Sequence, residues 1–141
     1  MTPVTSSRQT WAGLLAVVAA SLIAFLSFVA TPIKFLAEEV PLAHLLAVGR
    51  VTFRASLACE LTILIALFVL AAGKVRAIVG TAAAVLALQW FGLMPTLDAR
   101  TAAVMAGEAL APSSLHGWWI AADAARILLY AAAARLAFVR S

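Results

Sequence analysis

QTWAGLLAVVAASLIAFLSFVATPI, residues 9–33, runs for 25 residues without a charged side chain. A helix rises about 1.5 Å per residue and a bilayer's hydrocarbon core is about 30 Å thick, so roughly 20 apolar residues cross it. Arg8 ahead of the run gives it the look of a secretory signal. Its apolar part is longer than the roughly 7–15 residues of such a leader, and no small-residue cleavage site follows. The expectation is a retained first helix at 11–30, ended by Pro32.

The rest of the chain follows the same pattern. It has 141 residues, 65% hydrophobic and 11% charged, where a soluble domain carries about 45–50% apolar and about 25% charged residues. A domain this small has too much surface for its volume to hide that apolar excess from water. The excess must face lipid. A net charge of +4 and a pI near 10.2 would suggest nucleic acid in a soluble protein. Here the basic residues stand mainly between apolar runs, where membrane orientation accounts for them, and no nucleic-acid partner is expected. The single cysteine, Cys59, allows no intrachain disulfide and no dithiol chemistry. It reads as a small buried apolar residue.

Three further spans are read at 45–72, 77–94 and 115–138. Gly73–Arg76 is the turn between the second and third, and Pro95 stops the third. Residues 98–110 read as a short interfacial helix, and Ser114 as the N-cap of the last span. The fold class is therefore all-α, an integral membrane four-helix bundle, with residues 1–141 as one membrane domain. Arg8, Lys74, Arg76, Arg135 and Arg140 fall on one side of it. Lys34 and Arg100 fall on the other, with Glu38, Glu39, Asp98 and Glu108. The positive-inside rule then puts both termini in the cytoplasm of a bacterial inner membrane.

Polar residues within the spans gather in the outer leaflet: Arg50, Arg54, Glu60, Gln89, His116, Asp123 and Arg126. Ionisable groups there are costly and usually face the bundle interior. At about 100° per residue, Arg50 and Arg54 share a face, Glu60 flanks it, and His116, Asp123 and Arg126 form one stripe. Glu60 and Arg126 share a depth, so an Arg126–Glu60 or Arg54–Asp123 pair is feasible, as is an Asp123–Arg126 pair along one helix. Such pairs would lock the helices together, or the set would bind a ligand. Arginine suits a carboxylate, phosphate or lipid head. His116 with Asp123 and Glu60 suits a cation or a proton relay.

Other residues carry simpler readings. His44 and His116 could ligate a haem iron or a metal, but each reads first as an interfacial polar residue. Lys34 is a snorkelling lysine at a helix end. Trp90, Phe91, Trp118 and Trp119 form an aromatic belt. No role is assigned to the serines. No catalytic triad, HExxH, P-loop or dinucleotide fingerprint occurs.

Two stretches carry a resemblance: TPIKFLAEEVPLAHLLAVGRVTFR, residues 31–54, and LQWFGLMPTLDARTAAVMAGEALAPSSLHGW, residues 88–118. A Pro-x-x-Phe end to helix one, a Gly-x-x-x-Phe entry to helix two, a Pro-x-x-Asp-x-Arg segment and a His opening helix four resemble the transmembrane-protein-205-like family. That is a family of small four-helix membrane proteins of unknown function. A more distant likeness is to the membrane domain of copper-resistance D proteins, whose methionine and histidine runs this chain lacks. The resemblance implies a four-helix fold, with Pro32, Phe35, Gly49, Phe53, Pro95, Asp98, Arg100 and His116 as the family positions. It implies no activity.

The functional expectation is an outward-facing intramembrane polar pocket that binds, or helps transport, a small ion, an anion or a lipid head group. Its residues would be Arg50, Arg54, Glu60, Gln89, His116, Asp123 and Arg126. The alternatives are an accessory structural subunit of a larger membrane complex and a haem- or metal-dependent oxidoreductase. The first partner is the lipid bilayer, and a homo-oligomer or larger membrane complex fits a chain with little mass outside the bilayer. No cofactor is specified, and a non-enzymatic role is favoured.

Overall fold

The computed structural model describes residues 3–139 of the chain; Arg140 lies outside them. Among the described residues the secondary structure is helical throughout: α1 (Pro3–Phe25), a π-helical turn (Leu26–Ala30), α2 (Thr31–Lys34), α3 (Leu42–Leu70), α4 (Gly73–Ala87), a second π-helical turn (Leu88–Leu93), α5 (Met94–Met105) and α6 (Leu115–Val139). The π turns do not break their rods, so Ser7–Lys34 and Gly73–Met105 each run as one helix. These two and Leu42–Leu70 are long and apolar enough to cross a membrane.

The prolines correct the sequence reading. Pro32 and Pro95 were expected to end their helices, because a proline ring clashes with the carbonyl four residues back and offers no N–H. Each instead follows a widened turn. The Thr31 N–H reaches back five residues to the Leu26 carbonyl, which also accepts from Thr31 Oγ1 at 2.7 Å. The Met94 N–H does the same to Gln89. Each proline then sits in the first turn of the next segment, where a missing N–H costs nothing. Residues 98–110 are thus not a separate interfacial helix. Their first part prolongs the third rod to Met105, where a Schellman closure ends it. The Gly107 N–H donates to Val104 O and the Glu108 N–H to Ala103 O, both at 3.0 Å, with Gly107 at φ 86°.

The α3–α4 boundary also moves, while the start of α6 stays where it was read. The α3–α4 connection is the extended pair Ala71–Ala72 rather than Gly73–Arg76. The carbonyls left free at the end of α3 take basic donors: Arg8 to Val69 O and Arg76 to Ala71 O, each at 2.8 Å. Cations at a helix C-terminus also meet its negative dipole end. At the start of α6 the Ser114 carbonyl accepts from the Trp118 N–H, so Ser114 holds the cap position. The hydroxyl in use is that of Ser113, which accepts from the Leu115 N–H.

Each long helix buries one narrow stripe, with residues three or four apart. On α1 it is Ala12, Ala16, Ala19 and Ile23; on α4, Val75, Val79, Ala82 and Leu86. On α3 it is Leu57, Glu60, Leu64 and Leu67, and on α6, Trp119, Asp123, Arg126, Tyr130, Ala133 and Ala137. α6 packs against α1 and α4, and α3 against α1 and α4. Toward the α3–α4 turn the α1–α6 seam is alanine and glycine. A Cβ on Gly13 would come within 2.7 Å of the Phe138 ring. Small residues of this kind let helix backbones approach closely.

The outward faces carry Trp11, Val51, Ile65, Val69, Phe91 and Leu128, all exposed. Apolar side chains outside and charges inside are consistent with a lipid surrounding. Two residues depart from their expected places. Cys59 is exposed on the outer face of α3 rather than buried. Trp119, read as part of an aromatic belt, is only 3% exposed.

Candidate functional site

The polar residues fall into two groups, one above the other, and not into the single pocket expected from the sequence. The lower group is sealed. Glu60 on α3, Gln89 in the second π turn, and Asp123 and Arg126 on α6 are each at most 2% exposed. All four belong to their helices' buried stripes, so the packing that forms the core also draws them together. Arg126 joins the two carboxylates: Nη1 donates to Glu60 Oε2 and Nη2 to Asp123 Oδ1. Gln89 Nε2 donates to Asp123 Oδ1 at 2.8 Å and to the Trp119 carbonyl at 3.3 Å. Two acceptors on one nitrogen fix the amide's orientation. Ser27 Oγ donates to Asp123 Oδ2, and Tyr130 Oη donates to Glu60 Oε1 at 2.9 Å.

The upper group lines a cavity of about 500 Å³ between α2, α3, α5 and the start of α6. Lys34, Arg50, Arg100 and His116 are on its wall with Asp98, and Leu42, Leu46, Leu97 and Val104 supply apolar lining. Lys34 does not snorkel away from the protein. Its ammonium lies over Gly49, where a Cβ would overlap Nζ. It sits 5.0 Å from the centre of the Phe35 ring and 5.7 Å from that of Phe53. Aromatic faces attract a cation at such range. Neither Lys34 nor Arg50 has a carboxylate partner among the described residues. The one acid on the wall, Asp98, is paired with Arg54. Arg100 donates to the Ala111 carbonyl and ties the loop after α5 to the cavity rim.

Phe53 and Trp119 separate the two groups. Their rings meet at 5.3 Å, tilted by 55°. Both also line a second, much smaller chamber of about 10 Å³, with Ser27, Ser56, Asp123 and Arg126.

Glu60, Gln89, Asp123 and Arg126 come together in the sealed layer. Arg50 and His116 go to the cavity. Arg54 joins neither as a lining residue: its side chain is 59% exposed and reaches along the surface to Asp98, so the Arg54–Asp123 pair does not form. The separation follows from helix geometry, since Arg54 precedes Glu60 by six residues, about 9 Å of rise and about 120° of turn. His44 is exposed and is not on the cavity wall. No group of three or more His, Cys, Asp or Glu side chains lies together among the described residues.

Sequence reasoning missed Ser27, Tyr130, Lys34 and Arg100 as site residues. Tyr130 was within reach, because it stands four residues after Arg126 on the same stripe. Ser27 and Lys34 were not, because each depends on how the rod Ser7–Lys34 packs against its neighbours. The chain matches no family model, and no curated protein or solved structure is found similar to it.

Proposed function

We propose that the chain is a multi-pass protein of a bacterial cytoplasmic membrane, folded as a four-helix bundle with both termini inside, and that its outer cavity binds the anionic head of an amphiphile. The observation that carries this is Lys34: a half-buried ammonium, facing a cavity shared with Arg50 and Arg100, with no carboxylate to neutralise it. Three cations and one already paired acid leave the wall positive. A phosphate or carboxylate would meet the ammonium and the guanidinium forks, and an acyl chain would lie along the leucines. The likeness to the transmembrane-protein-205-like family is part of the proposal. Of its family positions, Phe35, Gly49, Phe53, Asp98, Arg100 and His116 line this cavity.

The test is binding by the purified protein in a neutral detergent, read by native mass spectrometry and thermal shift. The probes are phosphatidylglycerol, phosphatidylcholine and inorganic phosphate. Phosphatidylglycerol should bind and raise the Tm, and phosphatidylcholine should not. Binding of inorganic phosphate with equal effect would identify a free-anion site instead. Lys34→Ala and Arg50→Ala should each weaken binding about tenfold, which is about 1.4 kcal/mol. Undiminished binding in both variants would reject the reading.

A further inference from the structure

The sealed layer carries an inference that does not rest on the anion site. It holds two carboxyl groups, Glu60 and Asp123, and one guanidinium, Arg126. The other polar side chains bonded to these three are uncharged: Ser27 from α1, Gln89 from the second π turn and Tyr130 from α6. No second cation reaches either carboxyl among the described residues. With both carboxyls ionised, the layer would hold one negative charge away from solvent, a strongly unfavourable state.

The two carboxyls are bonded differently. Asp123 accepts three hydrogen bonds, two of them from an amide and a guanidinium that cannot reverse. Glu60 accepts two. Its Oε1 faces only the Tyr130 hydroxyl, a group that either donates or accepts. We propose that Glu60 is a proton-binding site, carrying one exchangeable proton on Oε1 while Asp123 and Arg126 remain an ion pair.

The proton comes from water in the outer cavity. An O–H bond forms on Glu60, the hydronium ion that supplied the proton becomes water, and no other bond changes. The small chamber beneath Phe53 and Trp119 is about the size of one water molecule and reaches Asp123 and Arg126. Two buried donors without partners, Arg126 Nε and Trp119 Nε1, belong to its lining residues. Phe53 and Trp119 line both the cavity and this chamber, so in this proposal their contact is the barrier between outer water and the layer that holds Glu60.

Infrared spectroscopy of the protein in nanodiscs tests this through the C=O band of a protonated carboxylic acid. Wild type should show that band at neutral pH. Glu60→Gln and Asp123→Asn should each abolish it, because either leaves one carboxylate balancing Arg126. Tyr130→Phe should keep the band and raise its frequency, since the acid loses its hydroxyl partner. In D2O the band should shift slowly in wild type and at least tenfold faster in Phe53→Ala. A wild type without the band would overturn the proposal, as would a band that survives Glu60→Gln. A band unmoved by Tyr130→Phe would reject Glu60 as its carrier. The near-isosteric variants keep the core volume, and circular dichroism confirms their fold.

Discussion

At the scale of single residues, Arg126 decides most. It is 2% exposed and holds both buried carboxyls, so removing it differs from removing a surface charge. Arg126→Ala is expected to lower stability by about 3–5 kcal/mol, the usual result of stripping one partner from a buried ion pair. Replacing Glu60, Asp123 and Arg126 together by apolar residues of similar volume should restore much of that loss. Thermal unfolding in detergent distinguishes them, and an unchanged Tm in Arg126→Ala would contradict the sealed layer. Gly49 makes a second case. A side chain there would take the seat of the Lys34 ammonium, so Gly49→Ala should weaken phosphatidylglycerol binding by about tenfold with every charge still present. Equal affinity, measured by titration, would place Lys34 elsewhere. The Arg126–Glu60 and Arg126–Asp123 pairs were feasible on the sequence, from shared depth and a three-residue spacing, but the same reading offered Arg54–Asp123, which does not form. The Arg54–Asp98 pair was not legible, since Asp98 was assigned to a separate helix and its position depends on how the third rod continues past Pro95.

At the scale of elements, the two π turns matter most. A proline in an apolar run reads as a stop, and sequence pattern offers no sign that a widened turn will absorb it. The consequence is positional. The second π turn sets the rotation of α5, and α5 brings Asp98 beside Arg54 and Arg100 to the cavity rim. One alanine inserted after Leu93 would turn α5 by about 100°. That variant should keep its helix content by circular dichroism yet lose phosphatidylglycerol binding. Retained binding would show that α5 does not supply the cavity's recognition. The helices themselves were largely legible: the last span was read as 115–138 and is Leu115–Val139. The first two helices start earlier than read, at Pro3 rather than 11 and at Leu42 rather than 45, and the other errors fall at Pro32, Pro95 and the α3–α4 turn, where local bonding outweighs hydropathy.

At the scale of the whole molecule, 65% hydrophobic residues in 141 make lipid the natural surrounding, and the all-helical character was legible from apolar runs of about 20 residues. The number of crossings is a sharper question. Three helices meet the length and hydropathy of a span, while α6 carries Asp123, Arg126 and Arg135. Two of those charges face inward and are neutralised by neighbours, so α6 should cross as well. Reporter fusions to the N- and C-termini are expected to report the same, cytoplasmic, side. Opposite sides would mean three crossings and a displaced α6. The division into a sealed layer and an open cavity was not legible, because Phe53 and Trp119 look like ordinary apolar residues until their contact is seen. Cys59 offers a practical return from its unexpected position. It is the chain's single thiol, it points outward, and it directly precedes Glu60. A spin label attached there, with no mutation introduced, would serve as a depth gauge at the level of the buried charges. Between two labelled copies it would serve as a ruler for self-association.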